Sequence, residues 1–135
     1  ALGKMVFDTG LAQAIGEAVK VFPLANHPMG LLAAAVVLVI YLTEVTSNSA
    51  TTSMMLPVLI GIAQASDIDP VPVALAVTMA ASFAFMLPVS TPPNAMAYGT
   101  GLLRIGDMIR VGFWLDVVGL VVVIAAGALL IPLVT

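Results

Sequence analysis

The sequence predicts an all-α integral membrane protein built from a re-entrant helical hairpin, a broken transmembrane helix and one full span. Hydrophobic residues make up 61% of the chain and charged residues 8%, more apolar surface than a soluble domain of 135 residues has interior to bury. Two polar clusters, residues 47–49 and 90–94, interrupt the apolar runs. Broken helices at membrane depth are tolerated only where they face protein or a water-filled cavity. The two interruptions therefore predict a solute site inside a membrane protein.

Composition also excludes several classes of protein. The chain has four Lys and Arg residues and a net charge of −3, which is too little positive charge for a nucleic-acid partner. It has no cysteine and a single histidine, His27, so disulfides, thiolate chemistry and a Cys/His metal centre are not expected. The sequence offers no nucleophile–base pair, so an enzyme is not expected. The expected environment of the chain is the lipid bilayer.

Residues 1–28 predict an amphipathic helix at the membrane interface, followed by a linker. Asp8 and Thr9 are suited to cap this helix. Its apolar face is formed by residues at helical spacing, namely Leu11, Ile15, Ala18 and Phe22. The chain begins with Ala1 rather than methionine, which suggests a fragment of a longer protein.

Residues 29–65 predict two apolar helices, over 29–45 and 50–65, joined by Ser47, Asn48 and Ser49. Each run is slightly short for a membrane crossing, which takes about 20 residues at ~1.5 Å per residue. We therefore expect a re-entrant hairpin with the three polar residues at its tip. Two full spans joined by a tight turn are the alternative.

Residues 71–103 predict a broken transmembrane helix, with an apolar helix over 71–89, a proline break over 90–94 and a short helix over 95–103. Residues 107–134 predict the C-terminal transmembrane helix, in which 112–134 form an apolar run of spanning length. Asp107 is the expected cap of this helix.

The basic residues predict the orientation of the chain in the membrane. Arg104 and Arg110 are the only Lys or Arg after residue 20, whereas the turn at Asp67 and Asp69 has none. We therefore expect residues 104–110 on the cytoplasmic side of the cell (inner or plasma) membrane and residues 66–70 outside. The multi-pass chain would then end outside, at Thr135.

The predicted hairpin tip combines two opposite helix ends. The first helix ends with unpaired carbonyls and the negative end of its dipole, and the second begins with unpaired N–H groups and the positive end. Thr43, Thr46, Ser47, Asn48 and Ser49 add oxygen ligands and donors. Neutral oxygens suit a hard cation such as Na⁺, and N–H and O–H donors suit a carboxylate.

The second interruption offers similar chemistry. Ser90, Thr91 and Asn94 supply oxygens, and Pro92 and Pro93 lack N–H groups and so free carbonyls of the preceding turn. No Lys or Arg lies between residues 21 and 103. An anion bound here would rest on helix ends, hydroxyls and a bound cation.

Structural interpretations of the same residues stay open at this point. Ser, Thr and Asn in membrane helices often only join neighbouring helices, and a double proline often only kinks a helix. Glu44 is an ionisable group inside an apolar run, which marks a functional candidate. It is equally compatible with a neutral side chain or one bonded to the backbone of a neighbouring helix.

Residues 42–51, followed by Leu56 and Pro57, resemble the second Ser-Asn-Thr signature of the divalent anion/sodium symporters. This family carries dicarboxylates, citrate or sulfate. Residues 84–95 resemble the broken helix of the same family, and residues 106–110 also fit its pattern. Ser49 stands where threonine is usual, which removes a methyl group and keeps the hydroxyl.

The resemblance implies that the chain is the C-terminal repeat of an inverted-repeat transporter whose N-terminal repeat is missing here. It implies substrate contacts for Ser47, Asn48, Ser49, Thr91 and Pro92. It also implies one sodium site, which would be lined by Thr43, Thr46, Asn48 and Ser90.

The expected function is the sodium-coupled symport of small dicarboxylates, with Na⁺ as coupling ion, no other cofactor and a homodimer at full length. A dicarboxylate exchanger or a sulfate transporter of the same family is the alternative. A structural membrane subunit is the alternative from another class.

Overall fold

The computed structural model describes the backbone of residues 27–134 and the side chains as far as Leu129. The predicted interfacial helix of residues 1–28 lies outside this part except for its last two residues. The described chain forms five α-helices and contains no strand. They are α1 (Pro28–Val45), α2 (Asn48–Ala65), α3 (Pro70–Ala80), α4 (Pro92–Gly99) and α5 (Ile105–Val134).

The first interruption is shorter than the polar cluster that predicts it. Only Thr46 and Ser47 separate α1 from α2. Ser47 is the N-cap of α2, and its hydroxyl oxygen accepts a hydrogen bond from the N–H of Ala50 at 3.2 Å. Asn48 and Ser49, expected in the break, instead form the first turn of α2.

The second interruption is longer than predicted, because α3 ends at Ala80 and not near residue 89. Pro88 explains part of the difference, since its ring would clash with the carbonyl of residue 84 in a continuous helix. The N–H groups of Met86 and Leu87 are also taken by the carboxylate of Glu44, at 2.9 and 3.1 Å. Residues 81–91 therefore form an irregular segment, called the interrupted segment below.

The two prolines begin a helix instead of breaking one. Pro92 and Pro93 are the first two residues of α4, where a missing N–H costs nothing and the fixed φ angle suits a helix. The short helix thus starts three residues before the predicted position of Ala95. The last helix begins at Ile105, so Asp107 lies inside its first turn and not at the capping position.

Helix α3 lies at the centre of the packing and contacts α1, α2 and α5. The apolar core is formed mainly by α1, α2 and α3 with Val123 of α5. Gly112 lets α5 approach the interrupted segment closely, because a Cβ there would lie 2.5 Å from the carbonyl carbon of Phe85. The core therefore holds the interrupted segment between the hairpin α1–α2 and α5.

Within the part of the chain that the structure describes, two helices are long and apolar enough to cross a membrane by length and composition, Pro28–Val45 and Ile105–Leu129. Both expose large apolar side chains, among them Leu38, Tyr41, Trp114 and Val118. The all-helical class that the sequence predicts is confirmed for the described residues, and these two helices are consistent with the predicted membrane protein.

Candidate binding site at the helix interruptions

A cavity of about 510 Å³ lies between the two interruptions. All five residues for which substrate contacts are predicted line it, namely Ser47, Asn48, Ser49, Thr91 and Pro92. Ser90, Asn94 and Phe85 complete much of the remaining wall. The fold thus brings together two polar clusters that lie more than 40 residues apart in the sequence (Asn48 to Thr91, 91 − 48 = 43).

The α2 wall of the cavity carries hydrogen-bond donors. The carbonyl of Ser47 accepts the N–H of Thr51 at 2.9 Å, and its hydroxyl accepts the N–H of Ala50. The N–H groups of Asn48 and Ser49 precede these and have no intrahelical partner, as at any helix start. They lie at the positive end of the α2 dipole, which favours a negative ligand.

The α4 wall is different. Pro92 and Pro93 have no N–H group. The next two N–H groups, those of Asn94 and Ala95, already donate to Thr91: the first to its hydroxyl at 3.4 Å and the second to its carbonyl at 3.1 Å. The side-chain amide of Asn94 donates to the carbonyls of Ala84 and Leu87, at 2.9 and 3.0 Å. Asn94 therefore fixes the shape of the interrupted segment.

Three oxygen atoms converge behind the tip of the hairpin. The hydroxyl of Thr43 lies 2.8 Å from the side-chain oxygen of Asn48 and 3.0 Å from the carbonyl oxygen of Ala81. Thr43 is fully buried. One hydroxyl proton can serve only one of these acceptors at a time, so the group has more lone pairs than donors. A cluster of neutral oxygens with this imbalance fits a hard monovalent cation.

The other two predicted sodium ligands have different partners. Thr46 bonds to the carbonyl of Leu42 at 2.8 Å and to the hydroxyl of Thr51. Ser90 lies 2.8 Å from the carbonyl oxygen of Glu44 and 2.7 Å from its carboxylate. Thr43 and Asn48 are thus in direct contact. Ser90 is connected to them only through α1, and Thr46 forms its hydrogen bonds within the hairpin tip.

Glu44 connects the two interruptions. Its side chain is 2% exposed, and its carboxylate accepts the N–H groups of Met86 and Leu87 and the hydroxyl of Ser90. This matches one of the interpretations left open by the sequence, a carboxylate bonded to the backbone of a neighbouring element. These three bonds hold the carboxylate in place and connect α1 to the interrupted segment.

Asp116 is a buried acidic residue that the analysis of the sequence did not single out. It lies on α5, is 2% exposed, and sits beside the carboxyl of Glu44 and the backbone of Phe85. Neither of its carboxyl oxygens has a hydrogen-bond partner among the described residues. The available signal was an acidic residue inside an apolar run of spanning length.

Comparison with known proteins gives one family. The family model for the sodium:sulfate symporter transmembrane region matches residues 1–135. The sodium-dependent dicarboxylate transporter SdcS of Staphylococcus saprophyticus is 39% identical over 132 residues, which are 98% of this chain and 25% of that protein. Solute carrier family 13 member 2 of Oryctolagus cuniculus is 43% identical over 127 residues, which are 93% of this chain and 21% of that protein.

The human solute carrier family 13 member 2 is also 43% identical over 127 residues, again 93% of this chain and 21% of that protein. The chain thus spans between a fifth and a quarter of the length of the curated relatives it matches.

Proposed function

This chain belongs to the sodium:sulfate symporter family, a family of membrane transporters and not of enzymes, and from that premise we propose that it is the C-terminal part of a sodium-coupled symporter for small dicarboxylates. The observation that carries the proposal is the cavity of about 510 Å³ that residues 47–49 share with residues 90–94. The SdcS relatives are sodium-dependent dicarboxylate transporters, which supports sodium and dicarboxylates as the transported species.

Sodium is proposed to bind at the converging oxygens of Thr43, Asn48 and the Ala81 carbonyl. The Thr43 hydroxyl lies 2.8 and 3.0 Å from the other two oxygens and can donate its proton to only one of them at a time. A cation coordinated by all three oxygens would use the lone pairs that this single proton leaves free. Ser90 and Thr46 are proposed to support this site through the carbonyls of α1 to which they bond, those of Glu44 and Leu42. The negative end of the α1 dipole adds to the attraction.

One carboxylate of the substrate is proposed to bind at the start of α2, to the free N–H groups and the hydroxyls of Ser47 and Ser49. Thr91 and Pro92 close the opposite wall. In residues 27–134 the only Lys or Arg residues are Arg104 and Arg110, and neither lines the cavity. Among the described residues no cationic side chain lies at the cavity, so the proposed sodium ion would be the positive charge beside the anion.

This arrangement predicts ordered binding. The attraction between opposite charges is strong where water is scarce, so sodium bound at Asn48 raises the affinity of the neighbouring anion site. Without sodium the carboxylate would meet only dipoles. We therefore propose that sodium binds first and the dicarboxylate second.

The full transporter is proposed to contain an N-terminal repeat that supplies a second, inverted set of these elements, and to form a homodimer in the cell membrane. α1 and α2 have 18 residues each, about 27 Å at 1.5 Å per residue, slightly less than a ~30 Å hydrocarbon core. The proposed re-entrant hairpin over residues 29–65 rests on the polar break between the two helices, because α1 is by length and composition also able to cross a membrane. Because basic residues favour the cytoplasmic side, Arg104 and Arg110 support an orientation in which the C-terminus lies outside.

The proposal is tested with the complete transporter in proteoliposomes. Labelled succinate or malate should enter when sodium is present outside and should not enter when choline replaces it. Uptake that is indifferent to sodium would contradict the symport proposal. Uptake that needs a dicarboxylate loaded inside the vesicles would indicate an exchanger, and efficient competition by sulfate would move the substrate class toward sulfate. Thermal unfolding that no solute shifts would favour a structural subunit.

A further inference from the structure

A second cavity, of about 270 Å³, lies between the interrupted segment, the start of α4 and the first three turns of α5, and is called the α5 cavity below. An apolar cavity of about 150 Å³ is enough to hold benzene, so the α5 cavity has room for an aromatic ring. Its wall carries two polar side chains, those of Asn94 and Asp107. The rest of the wall is formed by apolar residues and a glycine, namely Phe85, Leu103, Met108, Val111, Gly112 and Leu115.

Phe85 stands between the α5 cavity and the cavity that the two interruptions share, called the solute cavity below. It lines both of them, and the one other residue common to the two walls is Asn94. Phe85 is 38% exposed, although it lies in a segment held between the hairpin and α5. Its exposed surface is therefore available to the contents of the two cavities.

Hydrogen bonds fix the chain on either side of Phe85. Just before it, the carbonyl of Ala84 accepts from the side-chain amide of Asn94 at 2.9 Å. Just after it, the N–H of Met86 donates to the carboxylate of Glu44 at 2.9 Å. Because both neighbouring peptide groups are held by side chains of other elements, Phe85 has little freedom to move aside for a larger solute.

Packing against α5 supports Phe85 as well. Its ring meets the ring of Phe83 edge to face, with centroids 6.0 Å apart and planes at 82°. The ring of Phe83 lies against Gly119, where a Cβ would overlap it. The backbone of Phe85 itself lies against Gly112, where a Cβ would be 2.5 Å from its carbonyl carbon. Phe85 is therefore supported by α5 both directly and through Phe83.

We propose that Phe85 sets the size limit of the solute by closing the solute cavity off from the α5 cavity. This inference rests on the proposed function, because it narrows the substrate class of the same site to unsubstituted small dicarboxylates. A dicarboxylate with a bulky apolar substituent would need the α5 cavity for that substituent, and Phe85 blocks the way. The α5 cavity has no cationic side chain and one acidic side chain, Asp107, on its wall. It therefore suits an apolar group and not a further carboxylate.

The test uses the complete transporter in proteoliposomes and measures the concentration of phenylsuccinate that halves the sodium-dependent uptake of labelled succinate. Phenylsuccinate keeps both carboxylates of succinate and adds one aromatic ring. In Phe85→Ala this concentration should fall about tenfold relative to the parent protein, because the ring gains an apolar site. Phe85→Leu keeps more of the packing and should show a smaller decrease. The same concentration for citrate, which adds a carboxylate instead of a ring, should not fall in either variant.

Phe113→Ala is the matched control. Phe113 is 42% exposed and also forms an edge-to-face pair, with Trp114 at 5.9 Å, but it lines neither cavity. Its replacement should leave competition by phenylsuccinate unchanged. A second check adds Leu115→Phe to Phe85→Ala. Leu115 lies on the wall of the α5 cavity, so the larger side chain should fill that space and restore the parent value.

Three results would overturn the proposal. The first is competition by phenylsuccinate at the parent level in both Phe85 variants while they still take up succinate. The second is an equal gain for citrate, which would indicate a general loosening of the site. The third is a double variant with Leu115→Phe that still accepts phenylsuccinate. A parent protein without sodium-dependent succinate uptake would contradict the proposed function instead. The role of Phe85 is then read from thermal unfolding, in which phenylsuccinate should stabilise Phe85→Ala and not Phe113→Ala.

Discussion

Thr43 and Asn48 lie on opposite sides of the break between α1 and α2, yet their side-chain oxygens are 2.8 Å apart. The carbonyl oxygen of Ala81, from the start of the second interruption, lies 3.0 Å from the same Thr43 hydroxyl. One buried hydroxyl therefore joins the hairpin to the interrupted segment. Any ligand that binds these oxygens must act on both elements together.

Thr43→Val tests whether this hydroxyl is a sodium ligand. Valine keeps the shape of the side chain and removes one oxygen. The sodium concentration that gives half-maximal uptake should therefore rise about tenfold, which corresponds to ~1.4 kcal/mol of binding free energy. Substrate KM should rise at low sodium and recover when sodium is saturating. The matched control is Thr78→Val, which removes an exposed hydroxyl bonded to the carbonyl of Ala74 within α3. An unchanged sodium dependence in Thr43→Val would remove Thr43 from the ion site.

Asn48→Ala should weaken both ligands. The substitution removes the amide oxygen from the sodium cluster and a polar group from the cavity wall, so binding of sodium and of dicarboxylate should each fall by roughly tenfold. Isothermal titration or scintillation proximity binding on purified protein measures the two affinities separately. Ser53→Ala is the control, since that exposed hydroxyl bonds to the carbonyl of Ser49 in its own helix. Parent affinities for both ligands in Asn48→Ala would place Asn48 outside the site.

Glu44→Gln should destabilise the protein. Glutamine can present only one oxygen, so its amide N–H₂ would face a backbone N–H of Met86 or Leu87 and leave that donor unsatisfied, at a cost of about 1–3 kcal/mol. Thermal unfolding in detergent should therefore show a clear decrease in melting temperature. Asp67→Asn provides an exposed comparison at a left-handed turn (φ 55°) that asparagine also tolerates. Equal melting temperatures for both variants would argue against the Glu44 bonds.

Gly112→Ala should displace the interrupted segment. The new Cβ would lie 2.5 Å from backbone atoms of Phe85, which cannot move as a flexible side chain does, so we expect a loss of ~1–3 kcal/mol in stability. Gly106→Ala is a control in the first turn of the same helix, with no atom within 4 Å of its Cβ, and should be neutral or stabilising by up to about 1 kcal/mol. The measurement is the unfolding temperature of each variant relative to that of the parent protein. A Gly112→Ala variant as stable as Gly106→Ala would show that α5 and the segment are not in close contact.

The sequence was sufficient for the approximate bounds of α1, α2 and the last helix and for the existence of two breaks. Apolar runs bounded by polar turns placed α1, α2 and the last helix within a few residues, because burial in a membrane demands long apolar segments. A break was correctly expected at each polar cluster, although Asn48, Ser49 and residues 92–94 belong to the helices that follow the breaks. Their shared cavity depends on packing across α3, which local pattern does not reveal.

The second interruption is longer than the sequence predicts. Pro92 and Pro93 start α4, whereas Pro88 explains part of the longer break, because its ring would clash with the carbonyl of residue 84 in a continuous helix. The hydrogen bonds from Met86 and Leu87 to Glu44 join residues more than 40 positions apart, and no local pattern predicts such a competitor for helical bonds. The same holds for Asp116, whose neighbour on α1 is known only once the helices are packed.

The two prolines at the start of α4 give the cavity a polarity of its own. Across from the donor-rich turn of α2 stands a helix end without a spare N–H, capped by Thr91 and faced by pyrrolidine rings. If the proposed function holds, a molecule with an acidic group and an apolar side would bind with the acidic group toward α2. Selectivity in this half of the pocket would then arise from which way round a solute fits, and symmetrical diacids would need their second acidic group to be satisfied by another part of the transporter.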